Sequence, residues 1–241
     1  NWNDHHIYMK DKDCATQFYI SNCTFGNCFI TLLGTDNGQT EQYTAEYTGG
    51  GALFVNYSCS ITIHGTIFTN CYTYSKRGGA ILITGGCEPQ RDDGEFLDPF
   101  ADSVNIQYCC FQNCYGIDET VNIYGSAAFI SGYRTTLYYA STINCSDTYP
   151  IEGAQFDIQA YSVQSNNVNI TGGQATVCSA IQYRRAQFGS FKFQTIFNIN
   201  GSFATAYSNI GLSGDDISHC NFYNCTIHSN TESTHALIHA I

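Results

Sequence analysis

Charge is scarce in this chain: Asp, Glu, Lys and Arg make up 12% of its 241 residues, about half the usual share. Only nine residues are Lys or Arg and the formal net charge is −11, which argues against nucleic acid or an anionic membrane surface as partner. No run of 18 apolar residues occurs, so no membrane-spanning helix is predicted. Leu, Glu and Lys are sparse, and no apolar stripe of helical period lasts beyond a turn or two, which excludes a helical fold. The sequence lacks a P-loop, a dinucleotide fingerprint, a Cys-x-x-Cys pair of zinc spacing and a Ser-His-Asp context. No catalytic residue, cofactor or metal site is therefore expected. No signal peptide is visible and the chain starts at Asn1, as a processed or excerpted chain does.

What the chain does have is a repeat. Seven small-residue steps open into short apolar runs, among them Gly50-Gly51-Ala52-Leu53, Gly78-Gly79-Ala80-Ile81, Gly125-Ser126-Ala127-Ala128 and Gly153-Ala154-Gln155-Phe156. The marker alanines stand at 52, 80, 127, 154, 180, 206 and 236, so the gaps are 28, 47, 27, 26, 26 and 30 residues. A second marker, Phe-x-Asn-Cys, occurs at Phe25, Phe68, Phe111 and Phe222, and lies 16 residues after Ala52 and again 16 after Ala206. Two markers holding one offset mean stacked units, none able to bury its apolar face alone.

Within a unit the chain alternates. Ser60-Ile61-Thr62-Ile63-His64 and Ser103-Val104-Asn105-Ile106-Gln107 have the period of two of a half-buried strand. A helix-free unit of about 26 residues is too short for a propeller blade and fits a parallel β-helix. The expectation is one all-β domain over residues 1–241, of about seven coils of 26–30 residues, with loop insertions at about 32–48 and 87–102. Equivalent residues would lie ~4.8 Å apart in adjacent coils. Phe25, Phe68, Phe111, Phe197 and Phe222 would then form an inner aromatic stack, and Asn27, Asn70, Asn113, Asn144 and Asn224 an amide ladder at a turn.

Thirteen cysteines without zinc-like spacing point to an oxidising, extracellular setting. Cys59 and Cys87 each follow a marker alanine by seven residues and are the first candidate disulfide; Cys114 and Cys145 are the second. Cys23 and Cys28, Cys109 and Cys114, and Cys220 and Cys225 share a spacing of five that follows the repeat. Of six Asn-x-Ser/Thr sequons, Asn56, Asn169 and Asn200 are the expected glycan acceptors, because Asn144 and Asn224 fall in the proposed ladder.

The second insertion holds six carboxylates (Glu88, Asp92, Asp93, Glu95, Asp98 and Asp102), a set that could serve carbohydrate binding or cleavage. The simpler reading is a solvated loop. Polygalacturonases, which are also parallel β-helices, carry Asn-Thr-Asp, Asp-Asp, Gly-His-Gly and Arg-Ile-Lys in that order. Here Thr35-Asp36-Asn37, His64-Gly65, Asp92-Asp93 and Asp215-Asp216 come in another order without an Arg-x-Lys clamp, and Asp215-Asp216 reads as a turn.

The alternating Gly-Gly-Ala-(Ile/Leu/Val) and Phe-x-x-Asn tetrapeptides resemble the repeats of chlamydial polymorphic membrane proteins and of similar repeat proteins from parasitic protists. The resemblance runs from about residue 14 onward and implies a right-handed β-helix displayed at a cell surface in adhesion. Glycans or host-surface ligands are the partners it implies. The chain stops five residues after Ala236, in mid-unit, and opens with about eleven residues of a unit before Phe25. The two parts together make one 16-residue half-unit, so head-to-tail stacking into a filament is expected.

Overall fold

A computed structural model describes residues 7–10, 17–30, 49–56, 60–73, 77–84, 101–116, 125–145, 154–175, 180–184, 188–201, 204–210, 215–227 and 236–240. Among these residues there is no helix; strands joined by tight corners account for the regular structure. Accordingly, no helix among them is long and apolar enough to cross a membrane. Four short strands come first: β1 (Ile7–Lys10), β2 (Phe18–Ser21), β3 (Thr24–Gly26) and β4 (Phe29–Ile30). The set recurs as β5 (Leu53–Asn56), β6 (Ser60–His64), β7 (Ile67–Thr69) and β8 (Tyr72–Thr73). A third set is β9 (Ile81–Thr84), β10 (Ala101–Gln107), β11 (Cys110–Gln112) and β12 (Tyr115–Gly116).

Beyond it, neighbouring strands fuse. β13 (Ala128–Tyr138) joins the first and second positions and is followed by β14 (Ser141–Ile143). β15 (Phe156–Asn166) does the same, and β16 (Asn169–Ala175) joins the third and fourth. Then come β17 (Ile181–Arg184), β18 (Phe188–Lys192) and β19 (Thr195–Gly201), and after them β20 (Ala204–Ile210), β21 (Asp215–Ser218), β22 (Asn221–Tyr223), β23 (Thr226–Ile227) and β24 (Ala236–Ala240).

All the pairings among these strands are parallel, and each joins a strand to its counterpart one repeat away. Leu53 pairs with Ile81, Ile81 with Ala128, Ala128 with Phe156, Phe156 with Ile181 and Ile181 with Tyr207. In the same way Phe25 leads to Phe68, Phe111, Thr142, Ile170, Ile196 and Phe222. Three sheets result, of 13, eight and three strands. One buried cluster runs through the two larger sheets. Leu53, Val55, Ile61, Ile63, Phe68, Val104, Ile106, Phe111, Ile130 and Ile158 belong to it, as the period-two pattern requires.

The glycine step has a geometric cause. Gly50, Gly78 and Gly125 have φ of 71°, 66° and 73°, where a side chain is strained. The next residue is crowded: a Cβ on Gly79 would meet the Ser126 carbonyl of the following repeat. One marker is displaced from its expected place. Ala127 lies opposite Gln155, not Ala154, because the Ala127 N–H donates to the Gln155 carbonyl at 2.9 Å. Gln155 is therefore buried in an alanine position, and its Nε2 donates to the Gly172 carbonyl. The second insertion also ends earlier than expected. Ala101 and Asp102 belong to β10, with Ala101 buried and paired to Gly132, since the strand continues back from Ser103. Segments 32–48 and 87–100 lie outside the described residues.

Candidate functional site

Two columns of corners shape the molecule. The first joins third-position to fourth-position strands and consists of Asn27, Asn70, Asn113, Asn144, Gly172, Asn198 and Asn224, with φ from 50° to 70°. Asn tolerates this left-handed backbone better than other residues with side chains. Its amide adds a bond between repeats: Asn70 Nδ2 donates to Asn27 Oδ1 at 3.1 Å, Asn113 to Asn70 at 3.2 Å, and Asn224 to Asn198 at 2.5 Å. Asn198 escapes the sequence reading because Phe197 draws attention one residue too far along.

That slip is a correction. Phe25, Phe68 and Phe111 stack with ring centroids 5.1 and 4.9 Å apart, within 8° of parallel. Phe197 does not continue them. Ile196 holds that position and is buried, while Phe197 points the other way and stacks on exposed Tyr223 at 5.3 Å. A shift of one residue moves a side chain to the opposite face of a strand. Phe222, opposite Ile196, packs against the core. Next to Phe111 the column holds the smaller Thr142, and Phe156 from the largest sheet meets the Phe111 ring edge-on at 5.4 Å.

The cysteine that follows Asn lies within hydrogen-bonding reach of backbone carbonyls. Cys71 and Cys114 are fully buried, and their Sγ atoms donate to the carbonyl two residues back, of Thr69 and Gln112, at 3.5 Å. Each also reaches a carbonyl of the preceding repeat, Phe25 or Phe68, at 3.6 Å. Cys109, Cys220 and Cys225 repeat this double contact. The carbonyls of Thr69, Gln112, Gln107 and Ser218 already accept a backbone N–H from a neighbouring repeat, so the sulfur adds a second, weaker donor at each bend. Cys114 and Cys145 are neighbours, as the repeat predicts, with the Cys114 N–H donating to Cys145 Sγ at 3.4 Å. Cys59 and Cys87 lie outside the described residues. Burial pushes the Cys109 thiol up to about 11. The hydrogen bond to Cys114, then burial, drives Cys71 far above the ordinary thiol range, and the contact with Cys145 does the same for Cys114.

The second column of corners, joining second-position to third-position strands, has no single residue type. It comprises Asn22, Gly65, Tyr108, Tyr139, Asn167, Phe193 and His219, all with φ between 50° and 58°. Bulky residues rarely adopt this conformation. Tyr108, Tyr139 and Phe193 are about half exposed there, at 51%, 46% and 51%. Tyr108 and Tyr139 stack at 5.2 Å, and Tyr138 meets them edge-on at 5.9 and 4.5 Å. His64 packs edge-on to Tyr108 at 5.2 Å, and Phe193 stacks on His219 at 4.8 Å. The five-residue cysteine spacing was the available signal, since Cys23, Cys109 and Cys220 each follow one of these corners as Cys28, Cys114 and Cys225 follow the Asn corners.

The remaining candidates are scattered. Asn169 is exposed on β16 and Asn200 half-buried on β19; for Asn56 only the backbone, in β5, is described. Asp215 and Asp216 belong to β21 and make no turn, and Lys192 Nζ pairs with Asp216 at 2.5 Å, holding that carboxyl below its usual range. Glu88, Asp92, Asp93, Glu95 and Asp98 lie outside the described residues. Among the described residues no group of three or more His, Cys, Asp or Glu could hold a metal ion. No protein-family model, curated protein or solved structure matches the chain.

Proposed function

We propose that the chain winds as a right-handed parallel β-helix and does structural or adhesive work outside the cell or at its surface. The observation that carries this reading is the constant advance of pairing by one repeat, in parallel, along both of the larger sheets. A chain that pairs only with its own next repeat builds an elongated scaffold, and its outward side chains recur as columns suited to extended ligands. The low charge and the exposed tyrosines favour contacts with surfaces over chemistry on small molecules. The likeness to polymorphic membrane protein repeats supports the handedness and the adhesive role.

A cryo-electron microscopy map of the intact protein tests the winding: a right-handed rod with rungs ~4.8 Å apart is expected, and flat stacked layers or left-handed winding would overturn it. Beads coated with the protein, applied to cultured cells, test adhesion, with no retention counting against it. Sedimentation velocity over a range of concentrations tests head-to-tail association; a single species that does not grow would remove that part of the proposal.

A further inference from the structure

We infer that the Tyr108–Tyr139 corner and the sheet face beside it bind an uncharged, extended polysaccharide lying across the strands. The inference names a ligand class for the adhesive reading and rests on it, although its geometry needs only the observed pairing. Its first support is conformational. Asn22, Gly65 and Asn167 show what this corner holds where only the bend matters, yet Tyr108, Tyr139, Phe193 and His219 place aromatic rings at the same unfavourable φ. The three hydrophobic rings are about half in solvent, so burial does not explain them. Strain kept at exposed positions marks function.

The second support is the adjoining face. Thr62, Asn105, Thr136, Gln164 and Ser190 pair in sequence across five strands and alternate with buried residues, so they form one outward row of neutral hydrogen-bonding groups. Ser60 and Ser103 join hydroxyls at 2.9 Å beside it. The row repeats every ~4.8 Å, close to the length of one sugar residue in an extended glycan.

Charge selects further. Arg134 lies two residues before Thr136 and Lys192 two after Ser190, while Asp216, opposite Ser190, continues the row as a carboxylate and pairs with Lys192. An acidic polymer would meet that carboxylate, on a chain of net charge −11. Tyrosine, with an apolar body and a polar tip, matches the apolar face and hydroxyl rim of a neutral sugar.

Native affinity electrophoresis tests this, with hydroxyethyl cellulose, galactomannan or polygalacturonate cast in the gel. At least one of the two neutral polymers should retard the protein and polygalacturonate should not. The double variant Tyr108→Asn/Tyr139→Asn should bind about tenfold more weakly while melting at the same or a higher temperature, because Asn suits the corner better. Failure of both neutral polymers to retard, equal retardation by polygalacturonate, or unchanged binding by the variant would each overturn the inference. So would loss of self-association in the variant without loss of glycan binding, which would assign the face to a second copy. Electron microscopy of the same sample separates the two readings: rods that bind no glycan sink this inference alone, and absence of rods sinks the winding.

Discussion

A side chain at positive φ is useful only if it does something glycine cannot. Asn70 satisfies that test, since it donates to Asn27 and accepts from Asn113. Asn70→Ala should therefore cost about 1–2 kcal/mol, combining the loss of the polar side chain that makes left-handed backbone tolerable with two lost, solvent-weakened bonds. Asn70→Gly should cost less, about 0.5–1 kcal/mol, because only the bonds go. Urea denaturation of both variants checks the order, and Gly proving worse than Ala would contradict the role given to the backbone. The thiols give a pH prediction. Cys109 stays protonated in the folded chain up to about 11, whereas the unfolded thiol ionises near its ordinary value. Between pH 9 and 11 the unfolded state thus holds fewer protons, and stability falls as pH rises, by at most about 1.4 kcal/mol per pH unit for each such thiol. Below pH 9 the contribution is complete. Replacing Cys109 by Ser, which keeps a donor and removes the titration, should flatten the slope of stability against pH; an unchanged slope would mean that Cys109 is not the group responsible.

At the scale of the strand, register decides which residues matter. Ile196 and Phe197 are adjacent on β19, yet only Ile196 faces the core. Ile196→Ala should lower stability by about 2–5 kcal/mol, the range for emptying a packed site. Phe197→Ala should cost about 1 kcal/mol or less, the worth of its stack on Tyr223. Thermal denaturation of the pair measures this, and the reverse ranking would restore Phe197 to the inner column. The example also shows what the residues reveal unaided. Phe25, Phe68 and Phe111 can be aligned from sequence because the same side chain recurs with Asn and Cys at fixed distance. Ile196-Phe197-Asn198 cannot, since either apolar residue could turn inward and only the pairing partner, Ile170, settles it. The Tyr108 corner is harder still. What its members share is a backbone angle, and Asn, Gly, Tyr, Phe and His all adopt it there, so the only residue-type signal is the cysteine that follows three of them, Asn22, Tyr108 and His219. Gln155 hides for a third reason: a polar side chain fills an alanine position and places its Nε2 on a neighbouring carbonyl, while its buried Oε1 finds no partner among the described residues.

For the molecule as a whole, the consequence of one-repeat pairing is that a repeat is a removable part. Ala128 and Phe156 are partners in register, so residues 128–155 make up one full period between equivalent positions. Excising them joins Ala127 to Phe156. Phe156 then follows an alanine that lies opposite Gln155, the residue it followed before. The strands downstream keep their inward and outward faces and stack directly on β9 to β11. In a chain whose repeats touch only their neighbours, stability is close to a sum of repeat and interface contributions, so the shortened protein should fold and be less stable without losing its architecture. Circular dichroism should retain the same β signature, and small-angle scattering should show a particle shorter by ~4.8 Å. Removing residues 128–154 supplies the control. It leaves Gln155 behind as one extra residue, which must bulge out or push the following strand one place along and turn its core residues toward solvent. The 27-residue excision should therefore be less stable than the 28-residue one, although it deletes less of the chain. If the two deletions behave alike, or if the full-period deletion fails to fold while its control folds, the repeats are not independent layers and the pairing does not divide the chain where Ala128 and Phe156 meet.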